Sequence, residues 1–210
     1  MISQKLHNIR VVAFDCDGVM FDTSDANRAY YNNLLEHVGK PEMTPGQFAF
    51  THMHTVDESL MYLLPDPALR KAAMSYRKKM SYRPFLQLMR LEPDLKPLLG
   101  KLKPAYQTAI ATNRSDTMDR VLQTHNLAGL FDMVVTAMDV PRPKPHPDQL
   151  EKIARRFGIE PRQTLYIGDS ELDQAAAASA AVPFVAYRNA SLAADFHINR
   201  LGEVADILHI

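Results

Sequence analysis

Cysteine, surplus charge and long apolar runs are all scarce in this sequence. Cys16 is the single cysteine, so an intramolecular disulfide is impossible and a reducing compartment is expected. Lys plus Arg and Asp plus Glu number 24 each, which leaves no global charge to attract nucleic acid or acidic membranes. No stretch approaches the roughly 20 apolar residues of a membrane helix, and the first apolar run is too short for a secretory signal. We therefore expect a cytoplasmic monomer or homodimer without nucleic-acid or membrane partners.

Five short apolar runs rich in β-branched residues predict buried strands. They lie at residues 9–14, 106–112, 133–138, 164–168 and 183–187. Helical patterns separate them, at residues 94–102, 115–125, 147–157 and 171–180. Strands that alternate with helices predict an α/β fold in which helices cover both faces of a parallel sheet.

The segment 21–90 breaks this alternation, because it contains helical patterns and no convincing strand. The patterns lie at residues 24–39, 56–64 and 67–91, with a break near Pro84 as one option. Thr55 and Glu58 fit a capping box, and Asp66-Pro67 fits a helix start. We expect a core made of residues 1–20 and 91–210, with a helical cap, residues 21–90, inserted after the first strand.

Reactive side chains follow four of the predicted strands, and ligands of parallel α/β sheets bind beyond the carboxyl ends of strands. The first strand ends in Asp15-Cys16-Asp17-Gly18. Asp15 and Asp17 are two residues apart and can face the same side, while Gly18 permits a sharp turn. The other strand ends carry three further groups: Thr112-Asn113-Arg114, Pro143-Lys144-Pro145, and Gly168-Asp169-Ser170 with Asp173 one helical turn on.

In this order the motifs DxDGV, TN, KPxP and GDSxxD resemble those of the haloacid dehalogenase (HAD) superfamily. The helical insertion after the first motif is similar to the subfamily with an α-helical cap, which includes proteins of the phosphoglycolate phosphatase and β-phosphoglucomutase type. The resemblance implies a Rossmann-like core and transfer of a phosphoryl group to an aspartate, which splits hydrolysis into two steps.

The resemblance also implies a role for each matching residue. Asp15 would attack the phosphorus, and Asp17 would protonate the leaving oxygen and then activate water. Lys144 would neutralise Asp15 and the transferring oxygens. Thr112 would donate its hydroxyl, backbone amides near Asn113 would bind the phosphate, and a helix starting near Ser115 would add a favourable dipole. Gly18 and Arg114 complete the candidate substrate contacts.

A metal ion is expected as well, since several carboxylates at one point would repel each other and a phosphate. A hard cation with oxygen ligands, Mg²⁺, resolves that repulsion. By resemblance, Asp15 and Asp169 would bind it through carboxylates, Asp17 through its backbone carbonyl, and Asp173 would support the metal shell.

Most of these residues also have a purely structural interpretation. Asp17-Gly18 could form a simple turn, and Asp173 could pair with Ser170 in a capping box alone or in addition to its metal role. Thr112 could be a buried strand residue. The remaining structural interpretations are a solvated loop for Lys144, a surface helix start for Arg114, and core packing for Cys16.

The cap holds the candidate specificity residues His52 and His54, which could equally be solvated or packing residues. Their spacing without a third ligand makes zinc improbable. Val56 stands where β-phosphoglucomutase caps have a phosphate-binding arginine, and this difference argues against a mutase.

Three hypotheses for the function remain. The first is a Mg²⁺-dependent phosphatase acting on a small metabolite such as phosphoglycolate, a sugar phosphate or a nucleotide. The second is a phosphosugar mutase or another phosphotransferase. The third is a regulatory or binding protein that has lost turnover.

Overall fold

The computed structural model describes residues 8–103 and 105–210, without the side chain of Met53. The described chain forms two compact units. The first takes the described residues up to Phe21 together with Leu91–Ile210, and the second is Asp22–Arg90. Residues 1–7 and Pro104 of the predicted core lie outside the described residues.

Eight strands are present among the described residues: β1 Val11–Phe14, β2 Phe21–Asp22, β3 Arg90–Leu91, β4 Gln107–Ala111, β5 Met133–Val135, β6 Thr164–Gly168, β7 Phe184–Tyr187 and β8 Phe196–Ile198. Strands β2 and β3 pair with each other. The other six form a parallel sheet in the order β5-β4-β1-β6-β7-β8. The predicted α/β class with a parallel sheet is confirmed.

Ten α-helices lie in the described chain. Five belong to the second unit: α1 Ser24–His37, α2 Pro45–Met53, α3 Val56–Leu63, α4 Pro67–Arg77 and α5 Arg83–Leu86. Five belong to the first: α6 Leu95–Leu102, α7 Met118–Thr124, α8 Asp148–Phe157, α9 Glu171–Ala180 and α10 Glu203–Leu208. None of the described helices has both the length and the apolar character needed to cross a bilayer.

The core of the first unit forms where the central strands meet two amphipathic helices. All four residues of β1 are buried, as expected for a strand of a parallel sheet that is covered on both faces. Leu150 and Ile153 of α8 and Ala176 and Ala177 of α9 pack into the same cluster as the inner strands. The small alanine side chains let α9 pack closely against the sheet.

The second unit is stabilised by helix caps and an aromatic cluster. Thr55 and Glu58 form the predicted capping box, and Asp66 caps α4 ahead of Pro67, as predicted. The Tyr30 ring contacts those of Tyr31, Tyr82 and Phe85, with centroids 5.0–5.6 Å apart.

Several predicted boundaries are wrong. The strand expected at 133–138 ends at Val135, because Thr136 starts a capped 3₁₀ turn, Ala137–Asp139. The helix expected at 115–125 begins at Met118. The helix expected at 67–91 divides into α4 and α5, in agreement with the break considered near Pro84. The expectation of no strand in residues 21–90 is wrong at the two ends of that segment, which contribute to β2 and β3. The short elements α2, β8 and α10 carry too little periodicity to be predicted.

Candidate active site

Three neighbouring strands of the sheet bring several of the predicted site residues to one edge. Phe14 of β1 is paired in register with Ile110 of β4 and Ile167 of β6. The strands are parallel, so Asp15, at the end of β1, lies between the polar residues that follow β4 and β6. The amide of Asp15 still donates to the carbonyl of Ile167 at 2.9 Å, which extends the ladder into the site.

Lys144 reaches into this edge and is almost completely buried. Its Nζ donates to Asp15 Oδ1 at 2.7 Å, Asp173 Oδ1 at 2.6 Å and the Tyr166 hydroxyl at 3.0 Å. Burial works against its charge, but Asp15 and Asp173 raise the pKa of Lys144 above its usual value. The interpretation of Lys144 as a solvated loop residue is therefore wrong.

Asp173 uses its two carboxylate oxygens for different purposes. Oδ2 accepts from the Ser170 hydroxyl at 2.5 Å and from the amides of Ser170 and Asp169, which caps α9. Oδ1 accepts from Lys144 and Tyr166. Burial acts to raise the pKa of Asp173, but the charge and hydrogen bond of Lys144 lower it. The capping box is confirmed, and it coexists with a place in the acidic cluster.

Three carboxylates are close enough to share a cation. One oxygen from each of Asp15, Asp169 and Asp173 lies within 4.8 Å of the others. Asp17 contributes no side-chain oxygen to this group of described residues. Gly18 has a φ of +88°, and a Cβ at this position would collide with the Asp169 carboxylate. The glycine therefore allows the loop after β1 to pass directly beside Asp169.

The positive charge near the three carboxylates is too small to balance their negative charge. Burial, followed by the charges of Asp173 and Asp17, raises the pKa of Asp15 to about 7, even though Lys144 lowers it. Burial, with the charges of Asp173 and Asp15, also raises the pKa of Asp169 well above its usual value. No described side chain donates a hydrogen bond to the Asp169 carboxylate. A set of close, buried carboxylate oxygens short of positive charge fits a hard divalent cation.

Arg114 lies inside the site rather than on the surface. Its guanidinium donates to Asp17 Oδ1 at 2.7 Å, and 7% of its side chain is exposed, against 20% for Asp17. A second donor reaches the Thr117 hydroxyl at 3.2 Å. Arg114 is therefore not a surface helix-start residue, and its ion pair shows that Asp17 does more than form a turn.

The loop after β4 connects Thr112 to Lys144. The Thr112 hydroxyl is buried and accepts from the amide of Arg114 at 3.1 Å. The Asn113 side chain donates to the backbone carbonyl of Lys144 at 3.0 Å. A helix start near Ser115 was expected, but helix α7 begins only at Met118. The phosphate-binding surface expected there consists of loop groups instead.

Gln149 is a site residue that the sequence analysis missed. It is fully buried, and its Nε2 donates to the Thr112 carbonyl at 2.7 Å while its Oε1 accepts from the Lys144 amide at 3.3 Å. The amide side chain thus joins the Thr112 loop to the Lys144 loop. One signal could have revealed it, because Gln149 is a polar residue on the same helix face as the apolar Ile153.

The two candidate histidines make contacts within the second unit. His52 Nδ1 accepts from the Asn27 side chain at 3.0 Å. His54 Nδ1 donates to the Phe50 carbonyl at 2.8 Å, and its ring stacks on the Phe50 ring at 3.8 Å. Cys16 is completely buried in the first unit, and burial raises the pKa of its thiol, in agreement with a packing role.

Comparison with known proteins assigns the family. Residues 12–187 match the haloacid dehalogenase-like hydrolase family. A phosphoglycolate phosphatase from Chromobacterium violaceum is 28% identical over an alignment of 218 positions that covers 97% of this chain and 98% of that protein. The pyrophosphatase PpaX from Bacillus velezensis is 27% identical over an alignment of 219 positions that covers 96% of each protein.

A solved structure agrees with this assignment. A HAD-superfamily hydrolase of subfamily IA, variant 1, from Geobacter sulfurreducens is 38% identical, with a TM-score of 0.80, and the match covers 96% of this chain and 97% of that one. The chain belongs to the haloacid dehalogenase-like hydrolase family. The predicted superfamily is confirmed, and so is the predicted class of enzyme, a hydrolase of the phosphatase type.

Proposed function

We propose that this chain is a Mg²⁺-dependent phosphatase that hydrolyses a small phosphorylated metabolite through an aspartyl phosphate on Asp15. The observation that carries the proposal is the environment of Asp15. It is a buried carboxylate at the end of the central strand, held 2.7 Å from the Lys144 ammonium and beside Asp169 and Asp173. A buried nucleophile with a fixed cation and a cation-binding cluster suits phosphoryl transfer.

The chemistry divides into two displacements. In the first, an oxygen of Asp15 forms a bond to phosphorus while the bond from phosphorus to the leaving oxygen breaks. In the second, water attacks the same phosphorus, which releases inorganic phosphate and restores Asp15. Lys144 offsets the negative charge of Asp15 and of the transferring oxygens throughout. The Thr112 hydroxyl and the loop amides near Asn113 orient the phosphoryl group.

Asp17 is the group proposed to move protons. It gives a proton to the leaving oxygen in the first step and takes one from the attacking water in the second. Arg114, paired with Asp17 at 2.7 Å, is the cation next to this position and is suited to meet an anionic part of the substrate.

Asp15, Asp169 and Asp173 would hold the metal ion, with the backbone carbonyl of Asp17 as a further ligand by analogy with the family. Bound Mg²⁺ would supply positive charge against the phosphate oxygens. The three carboxylate oxygens within 4.8 Å of one another support this assignment.

The substrate is proposed only as a class. Two relatives of similar identity are named as a phosphoglycolate phosphatase and a pyrophosphatase, and both names describe small phosphorylated anions. We infer that the helical unit, Asp22–Arg90, chooses between substrates, with His52 and His54 as candidate contacts. Val56 opens α3 with an apolar side chain and does not favour a phosphosugar mutase. A cytoplasmic location stays a prediction from the lone cysteine.

A metabolite panel with matched variants tests the proposal. The wild-type protein should release phosphate from at least one small ester in Mg²⁺, lose activity on chelation and be suppressed by Ca²⁺, whose larger coordination shell distorts the site. Asp15→Asn, nearly isosteric, should fold normally and lose at least about 10³-fold in kcat. Retention of more than a few per cent of activity by Asp15→Asn, or full activity after exhaustive chelation, would defeat the proposal.

A further inference from the structure

The Lys144 ammonium has three hydrogens and three neighbours, and one neighbour is not a carboxylate. Asp15 Oδ1 and Asp173 Oδ1 lie at 2.7 and 2.6 Å, and the hydroxyl of Tyr166 lies at 3.0 Å. All three groups are buried. Tyr166 is a residue of β6 whose ring belongs to the core, and none of the chemistry proposed above uses its hydroxyl.

The direction of each hydrogen bond follows from the chemistry of the groups. An ammonium only donates, so the Tyr166 oxygen accepts from Lys144. The single hydroxyl hydrogen is then left for Asp173 Oδ1 at 2.6 Å or for the Ala111 carbonyl at 3.2 Å. The shorter contact, to a carboxylate, is the stronger of the two. The hydroxyl thus links the ammonium to Asp173 and lies beside the end of β4.

The ring and the hydroxyl of Tyr166 serve different parts of the molecule. The ring packs in the cluster that contains Val11, Ala13 and Leu150, with its centroid 6.0 Å from that of Phe184. A phenylalanine would make the same apolar contacts. The hydroxyl extends beyond that packing into the acidic cluster, where a buried polar group without partners would be unfavourable.

A lysine between two carboxylates needs a third contact to define its position. Its side chain rotates about four bonds, and an ammonium held only by Asp15 and Asp173 can shift toward either of them. We propose that Tyr166 is a positioning residue, whose hydroxyl fixes the Lys144 ammonium against Asp15 for phosphoryl transfer. This inference rests on the proposed function of Asp15 and Lys144.

Tyr166→Phe is the direct test, because it removes the hydroxyl and keeps the ring. Misplacing a catalytic group by about 1 Å costs up to roughly 10²-fold, so kcat should fall about 10- to 100-fold. KM should change less than about threefold, since the loop amides, and a metal ion held by the acidic cluster, would still bind the ground-state phosphate. The matched control is Tyr187→Phe, which removes the hydroxyl of a buried tyrosine on β7 that does not contact Lys144 and should leave kcat within about twofold.

A double-mutant cycle separates positioning from general damage to the fold. Lys144→Met keeps the length of the side chain and removes its charge. If Tyr166 acts through Lys144, Tyr166→Phe should cause less than about a twofold further loss of kcat in the Lys144→Met background. Melting temperatures measured for all four proteins report any loss of stability separately.

Two results would overturn the inference. One is a Tyr166→Phe enzyme with wild-type kcat, and the other is an equal loss of kcat with and without Lys144. Neither resembles a failure of the proposed function, which would appear as activity that survives in Asp15→Asn or is absent from the wild-type protein.

Discussion

The two units of this protein use polar side chains in opposite ways. In the second unit, Thr55 and Glu58 sit at an exposed helix start and satisfy backbone groups next to them in sequence. In the first unit, Lys144 binds Asp15 across 129 residues of sequence, and both are buried. Local pairs of the first kind stabilise individual helices, whereas buried charges need partners that only the whole fold provides. Chemistry is therefore expected in the first unit, and selection of the substrate in the second.

Among the experiments that test this division of roles between the two units, Asp17→Asn should give the largest change in kcat. An amide can neither give nor take the proton, so kcat should fall by about 10²–10⁴-fold, with the larger loss on substrates whose leaving groups are poor. Steady-state rates on esters with good and poor leaving groups measure it. The control is Asp25→Asn, which breaks the exposed ion pair to Arg90 in the second unit and should change kcat less than about twofold. An unchanged rate for Asp17→Asn on a poor leaving group would remove the proton-transfer role.

The pH dependence of metal binding gives an intermediate effect. Because burial raises the pKa of Asp15 to about 7, the carboxyl holds a proton below that pH, and this proton must leave before a cation binds. The pKa of Asp169 is also raised well above its usual value, so Mg²⁺ affinity should rise with pH, and Kd should fall about tenfold per pH unit for each proton that binding releases. Calorimetry at pH 6, 7 and 8, in two buffers with different ionisation enthalpies, counts the protons. A Kd that is constant from pH 6 to 8 would contradict the assigned cluster.

The histidines of the second unit provide the smallest effect and the sharpest test of the division of labour. His52→Ala and His54→Ala should change the ranking of substrates by about three- to tenfold, with less than about a twofold change on a small generic phosphate ester. His37→Ala is the matched control, because His37 also stacks on an aromatic ring of this unit, Tyr76, at 3.8 Å. A uniform change across all substrates, or the same pattern in His37→Ala, would make His52 and His54 structural.

The sequence predicted the parts of the site that follow strands. Asp15, Thr112 and Asp169 could be placed because residues after neighbouring parallel strands meet at one edge, which the register of β1, β4 and β6 shows. The sequence also places Lys144 after the strand predicted at residues 133–138, but that strand ends at Val135. The fixed position of Lys144 depends on contacts between residues far apart in sequence, which no local pattern records.

Tyr166 and Gln149 escaped notice for a related reason. Both lie at positions where the periodicity predicts core residues, and both are indeed buried. What distinguishes them is their polar contacts. The Tyr166 hydroxyl contacts Lys144, 22 residues away, and the Gln149 amide contacts both Lys144 and Thr112, the latter 37 residues away. The predicted helix start near Ser115 was wrong for a different reason. The amide of Arg114 donates to the Thr112 hydroxyl in a loop, and the helix begins only at Met118.

The double use of Asp173 has a consequence for protein engineering. Its Oδ2 accepts hydrogen bonds at the N-terminus of helix α9, and its Oδ1 accepts one from the Lys144 ammonium. Redesign of the first turn of α9 for thermostability therefore also alters the electrostatics around Asp15, the proposed nucleophile, and a substitution of Asp173 that aims at Lys144 also weakens the start of a helix. Under the proposed function, stability and turnover both depend on this one side chain, so an engineer who changes position 173 has to measure both.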